Sequence, residues 1–147
     1  MPQATLFLDS SALVAGIISA QGAARALLLL AELDEIAIVV SEQVIAETER
    51  ALARKVPQAL PDLRQAIRKT GVRIVRDPSP EAVAAGQGYI GHPPDVSILL
   101  AAMAAGVDYL VTLNRKHFVD DPQVAATSGL RTGTPGDALA WVRGRIG

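Results

Sequence analysis

Short apolar runs alternate along the chain with longer segments whose apolar residues recur at helical spacing. Leu6 to Leu8 carries no charge and reads as a first strand. Ala12 to Ile18 and Ala23 to Leu33 read as helices, the second rich in the strong helix formers Ala and Leu. Ile36 to Val40 is a β-branched run and a second strand. Ser41 is placed to cap a helix over Glu42 to Lys55, on which Val44, Thr48 and Leu52 form an inward stripe. Leu60, Leu63 and Ile67 repeat at helical spacing until Gly71 stops the helix. Val72 to Val75 reads as a third strand, and Ser79-Pro80 as a cap followed by proline at a first helical position.

The second half continues the pattern. Gly86 to Pro94 reads as a loop, and Asp95 to Ala105 as a helix with no charge after its first residue. Tyr109 to Thr112 is a fourth strand, Asp120 to Ser128 a loop or short helix, and Leu130 to Thr132 a fifth strand. Thr134-Pro135 with Asp137 forms a capping arrangement for a last helix ending near Ile146. Strands alternating with helices predict an α/β fold, a mainly parallel sheet with helices on both faces. No repeat, linker or low-complexity segment interrupts it, so residues 1–147 are expected to form one domain.

Composition narrows the function. Half of the 147 residues are hydrophobic and a fifth are charged, which argues against disorder. The absence of cysteine excludes disulfides and thiolate metal sites. The N-terminus has no basic leader and no apolar stretch is long enough to span a bilayer, so a cytoplasmic protein with no membrane partner is expected. Two Phe, two Tyr and one Trp are too few for a base-stacking platform. Net charge is −1, yet Arg50, Arg54, Lys55, Arg64, Arg68, Lys69, Arg73 and Arg76 share a window with the single acid Asp62. That asymmetry suits either a phosphate-binding face or the solvated surface of two amphipathic helices.

The candidate chemistry lies at strand ends. Asp9 directly follows the first strand, and burying a carboxylate there is costly unless a cation meets it. No cationic side chain is an obvious partner, whereas further acids stand at other element ends. In open parallel sheets, sites lie beyond the carboxyl ends of the strands. Asp9, Glu47, Asp95 and Asn114 are all expected near that edge, and their oxygen ligands suit Mg²⁺ or Mn²⁺. Glu47, Arg50 and Arg54 share one helix flank, so an acidic ligand continues into two phosphate-binding arginines. Each residue also has an ordinary reading: Asp95 as a helix N-cap, Glu47 as the partner of Arg50, Asn114 as a turn residue, and His92 and His117 as loop histidines.

Taken in order, Leu6-Phe7-Leu8-Asp9-Ser10-Ser11, Ser41 to Glu47, Asp95 to Gly106 and Asp108 to Phe118 resemble the PIN-domain family, and within it the VapC-like toxins of toxin–antitoxin pairs. The resemblance implies a three-layer α/β/α sandwich and Mg²⁺- or Mn²⁺-dependent RNA cleavage. By position it implies Asp9, Glu47 and Asp95 as acidic ligands, and Asn114 at a place where many members carry a fourth acid. It further implies Ser11 and Thr112 as supports of the ligands, Arg50, Arg54, Arg115 and Lys116 as RNA contacts, and an antitoxin and a second copy as protein partners. Two rival enzymes fit less well. A haloacid-dehalogenase phosphatase needs an acid where Ser11 stands, and a receiver domain needs an early acid pair that is missing. The neutral Asn114 also admits a catalytically weakened module that acts by binding.

Overall fold

The protein is described here from a computed structural model, which covers residues 3–86, 93–114, 118, 120 and 122–146. Five strands, β1 (Ala4–Leu8), β2 (Ile36–Ser41), β3 (Arg73–Val75), β4 (Tyr109–Val111) and β5 (Arg131–Gly133), form one sheet in the order β3-β2-β1-β4-β5. Every pairing is parallel, so the expected mainly parallel sheet is wholly so among the described residues. Buried on both faces, such strands cannot alternate polar and apolar residues, which is why Leu6, Phe7, Leu8, Val40 and Leu110 are all inaccessible.

The helices are α1 (Ser10–Ile18), α2 (Ala23–Glu32), α3 (Glu42–Lys55), α4 (Leu60–Thr70), α5 (Pro80–Ala85), α6 (Pro93–Ala105), α7 (Pro122–Ser128) and α8 (Pro135–Ile146). The chain moves outward from β1 to β3, so right-handed crossovers put α1 to α4 on one face. They pack against one another there, and α8 returns to lie on α2. After β3 the chain crosses back beyond β1 to β4, which carries α5 and α6 to the other face, with α6 over β2. The result is the three-layer α/β/α sandwich. No helix among the described residues is long and apolar enough to cross a membrane alone.

Local chemistry explains most element ends. The Ser41 hydroxyl accepts from the Val44 amide at 3.3 Å and starts α3, whose Val44, Thr48 and Leu52 are buried as the periodicity requires. Gly71 ends α4 at φ 62°, a left-handed conformation that costs glycine little. Thr134 and Asp137 cap α8 reciprocally: the Thr134 amide donates to Asp137 Oδ2 at 3.1 Å and the Asp137 amide to Thr134 Oγ1 at 3.2 Å. Of the boundaries that differ from the sequence reading, three bear on the site. Helix α1 begins at Ser10, not Ala12, because Asp9 caps it. Helix α6 begins at Pro93, so Asp95 is its third residue and not its cap. Strand β4 ends at Val111, although the Thr112 amide still donates to the Gly133 carbonyl at 3.0 Å. Residues 87–92 of the expected loop lie outside the described residues.

At the β5 end, a Cβ on Gly133 would overlap the hydroxyl of buried Tyr109 and come within 2.9 Å of Asp137 Cβ. Gly133→Ala is therefore expected to lower stability by about 1–3 kcal/mol in denaturant unfolding, the usual scale for overpacking. A Cβ on Gly136 meets nothing closer than Thr134 Oγ1 at 3.8 Å, so Gly136→Ala should leave the midpoint nearly unchanged. Equal midpoints for the two variants would refute this packing.

Candidate active site

The sheet order reverses between β1 and β4, because β1 leads to β2 on one side and β4 lies on the other. Helices leave the two strands toward opposite faces, and a crevice opens at their carboxyl ends. Asp9 stands in that crevice. Its amide donates to the Val111 carbonyl at 3.1 Å, which ties it to the end of β4. Its side chain is 7% exposed, the one acidic side chain among the buried residues described.

Neutral donors reach both oxygens of this carboxylate. Oδ1 accepts from the Ser11 hydroxyl at 2.6 Å and from the Ala12 amide at 3.0 Å. Oδ2 accepts from the Thr112 hydroxyl. The Ala12 bond is the N-cap of α1, worth about 1 kcal/mol in typical helices. Hydroxyls and a helix N-terminus share the task of meeting this charge. They do not complete it. Burial pushes the Asp9 carboxyl up from its ordinary value of 3.8, the three hydrogen bonds pull it back, and the negative charge of Asp95 adds to the rise.

Ser11 and Thr112 each work in two directions. Ser11 Oγ donates to Asp9 and accepts from the Leu113 amide at 3.0 Å. Thr112 Oγ1 donates to Asp9 and accepts from the Asn114 amide at 2.9 Å. The segment that carries Asn114 is thus hung from both oxygens of one carboxylate. Asp95, half-buried on the first turn of α6, acts electrostatically on Asp9, the smallest of the influences on that carboxyl.

The remaining acid is less closely gathered. Glu47 is half-buried on α3, where Gln43, one turn earlier, donates from Nε2 to its Oε2 at 3.4 Å. Among the described residues, no three acidic or histidine side chains stand close enough to hold one metal ion. Asp95 is the one of these acids whose charge acts on Asp9. Mg²⁺ commonly takes one or two protein carboxylates and completes its shell with water and phosphate oxygens, so this donor set fits a hard divalent cation. Arg50 and Arg54 are exposed on α3 beyond Glu47, and all eight basic residues of the Arg50–Arg76 window are exposed. Arg115, Lys116, His92 and His117 lie outside the described residues.

The sequence reading gave Asp77 no role. Its Oδ1 accepts from the Gln43 amide at 2.8 Å, and its own amide donates to Glu42 Oε1 at 3.2 Å. The first turn of α3, and with it Glu47, is therefore anchored to the end of β3. No local signal marks a partner 34 residues away.

The fold and part of the sequence have counterparts elsewhere. The crystal structure of PAE2754 from Pyrobaculum aerophilum superposes with a TM-score of 0.66 at 19% identity, covering 96% of this chain and 90% of that one. VapBC2 from Rickettsia felis, solved bound to a DNA fragment from their promoter, gives 0.64 at 21% identity, covering 88% of this chain and 98% of that one. At these identities the likeness is one of fold. Comparison with curated proteins by sequence gives no match. The family model described as PIN domain matches residues 5–116, a span that takes in Asp9, Glu47, Asp95 and Asn114. The chain belongs to the PIN-domain family.

Proposed function

We propose that this protein is a metal-dependent endoribonuclease, the toxin of a toxin–antitoxin pair, acting on RNA in the cytoplasm. PIN domains are nucleases that generally use divalent metal ions. The observation that carries the reading for this chain is a carboxylate, Asp9, buried and oriented by Ser11, Ala12 and Thr112 at the crevice where ligands of open α/β sheets bind. Asp9, Asp95, Glu47 and Asn114 would hold Mg²⁺ or Mn²⁺, which supplies the Lewis acidity that phosphodiester hydrolysis requires.

The protein's own residues do the rest. Ser11 and Thr112 keep both oxygens of Asp9 oriented, and the same two hydroxyls set the position of Asn114. Arg50 and Arg54 grip phosphates along one flank of α3, joined by Arg115 and Lys116. VapBC2 pairs its two named components in one structure, which supports a cognate antitoxin here. Leu29, Leu33 and Ile146 are each about half exposed or more on the α2–α8 face, which suits coverage by an antitoxin or by a second copy of the chain.

A second reading is a binding module with little activity. Two observations favour it: Asn114 is neutral, and no three acids gather among the described residues. Calorimetry separates the two. Binding of Mn²⁺ by the wild type and its loss in Asp9→Asn supports the nuclease, and no binding by the wild type supports the module.

Purified protein should cleave single-stranded RNA with Mg²⁺ or Mn²⁺ and stop on addition of chelator. Asp9→Asn should lower the rate by at least about a hundredfold with its circular dichroism unchanged. Cleavage by that variant at the wild-type rate ends the proposal.

Asp9 also makes stability depend on pH. Its folded pKa lies above 3.8, so the stabilisation it contributes is present below that value and lost as pH rises through the folded value. Metal-free Asp9→Asn should therefore melt at or above the wild-type temperature at pH 7.5, with the gap closing as pH falls toward 4. Mg²⁺ should raise the melting temperature of the wild type alone. Differential scanning fluorimetry reads both effects, and a variant less stable than wild type at pH 7.5 contradicts the burial argument.

A further inference from the structure

Beside the candidate active site, on the β4–β5 side, lies a groove of about 320 Å³. Leu113, Ser19, Gln21, Ala23, Thr134 and Gly136 contribute to its walls. Its position is set by the same bonds that hold Asp9. The Leu113 amide donates to Ser11, which donates to Asp9, so one wall is two hydrogen bonds from the carboxylate. The opposite wall is the corner where α1 turns by 87° into α2, and α1 itself starts at Asp9. Arg25 pins that corner, with Nε donating to the Gly16 carbonyl at 2.6 Å and Nη2 to the Ile17 carbonyl at 2.8 Å.

We infer that this groove receives the nucleobase of the nucleotide next to the scissile phosphodiester, with the Gln21 amide contacting the base edge. The inference rests on the nuclease reading and adds a base-binding subsite to it. Three observations support it. First, α3 with Arg50 and Arg54 follows β2, on the other side of β1 from β4 and β5. A strand gripped there and crossing Asp9 is delivered to the groove. Second, the volume reaches the lower end of the range of small-molecule sites, about 300 Å³. Leu113, 49% exposed in a position next to a polar site, offers a base an apolar wall, and exposed Gln21 offers both a donor and an acceptor. Third, the groove is poorly made for a bare anion. Two of the five Arg25 N–H donors are spent on carbonyls, Pro135 has no amide hydrogen, and the Asp137 amide is already bonded to Thr134, so few of the lining donors converge on one anion position. With so few aromatic residues in the chain, a groove is the available way to hold a base.

The test uses the full-length, ¹⁵N-labelled protein titrated with adenosine, guanosine, cytidine, uridine and, separately, inorganic phosphate. The amides of Gly22, Leu113 and Gly136 should shift with the nucleosides, unequally among the four, and not with phosphate. Gly136→Trp, at a position with no positive φ and open space around its Cβ, should abolish the shifts. On a random-sequence RNA, Gln21→Ala should flatten the base preference beside the cut by about tenfold, the value of one base-edge contact. Nucleosides that leave these amides unmoved overturn the inference, as do phosphate shifts equal to the nucleoside shifts or an unchanged preference in Gln21→Ala. Nucleoside shifts in a protein that cuts no RNA would support the groove and overturn the nuclease reading instead.

Discussion

A buried carboxylate at the end of the central strand organises the rest of this molecule. Asp9 cannot enter the interior without donors, and the donors that reach it come from two directions. The Ala12 amide and Ser11 hydroxyl belong to the first turn of α1, while the Thr112 hydroxyl belongs to the segment after β4. Satisfying one side chain thus joins the start of a helix on one face to the end of a strand whose helices lie on the other. The charge that remains unbalanced, increased by Asp95, is what makes this crevice a candidate for chemistry and not simply a seam in the fold.

The supporting contacts follow the same logic at longer range. Asp77 holds the first turn of α3 to the end of β3, which fixes the helix carrying Glu47, Arg50 and Arg54. Arg25 closes the far end of α1 by capping its last carbonyls. Helix α1 therefore has an acid-capped end at the site and a base-capped end at the α2 corner, and it spans from the candidate metal ligands to the groove proposed to hold a base. Polar groups in the core are paired throughout: among the described residues no buried side-chain polar atom lacks a partner.

The PIN-domain match and the geometry bear on different questions. Family membership rests on residues 5–116 and accounts for the nuclease class. The geometry distinguishes the acids from one another: Asp9 is buried and multiply bonded, Asp95 acts on it through space, and Glu47 is held by Gln43 on its own helix. Asn114, being neutral, adds no charge to the three acids at the candidate positions.

Much of this was legible in the sequence because the signals are local. The uncharged runs of a buried parallel sheet, the Val44, Thr48 and Leu52 stripe, the Ser41 and Thr134–Asp137 caps and the Gly71 stop are each decided by neighbours within a few residues. The position of Asp9 at a strand end was also readable, as was the basic window. Other features depended on partners far along the chain. Thr112 and Asp9 are 103 positions apart, and the Gln43–Asp77 bond spans 34. Which hydroxyls reach Asp9 and whether a groove opened beside Leu113 depended on how five strands are ordered in space. Periodicity and propensity report which surface of a segment is apolar, but they carry no information about which distant segment comes to cover it.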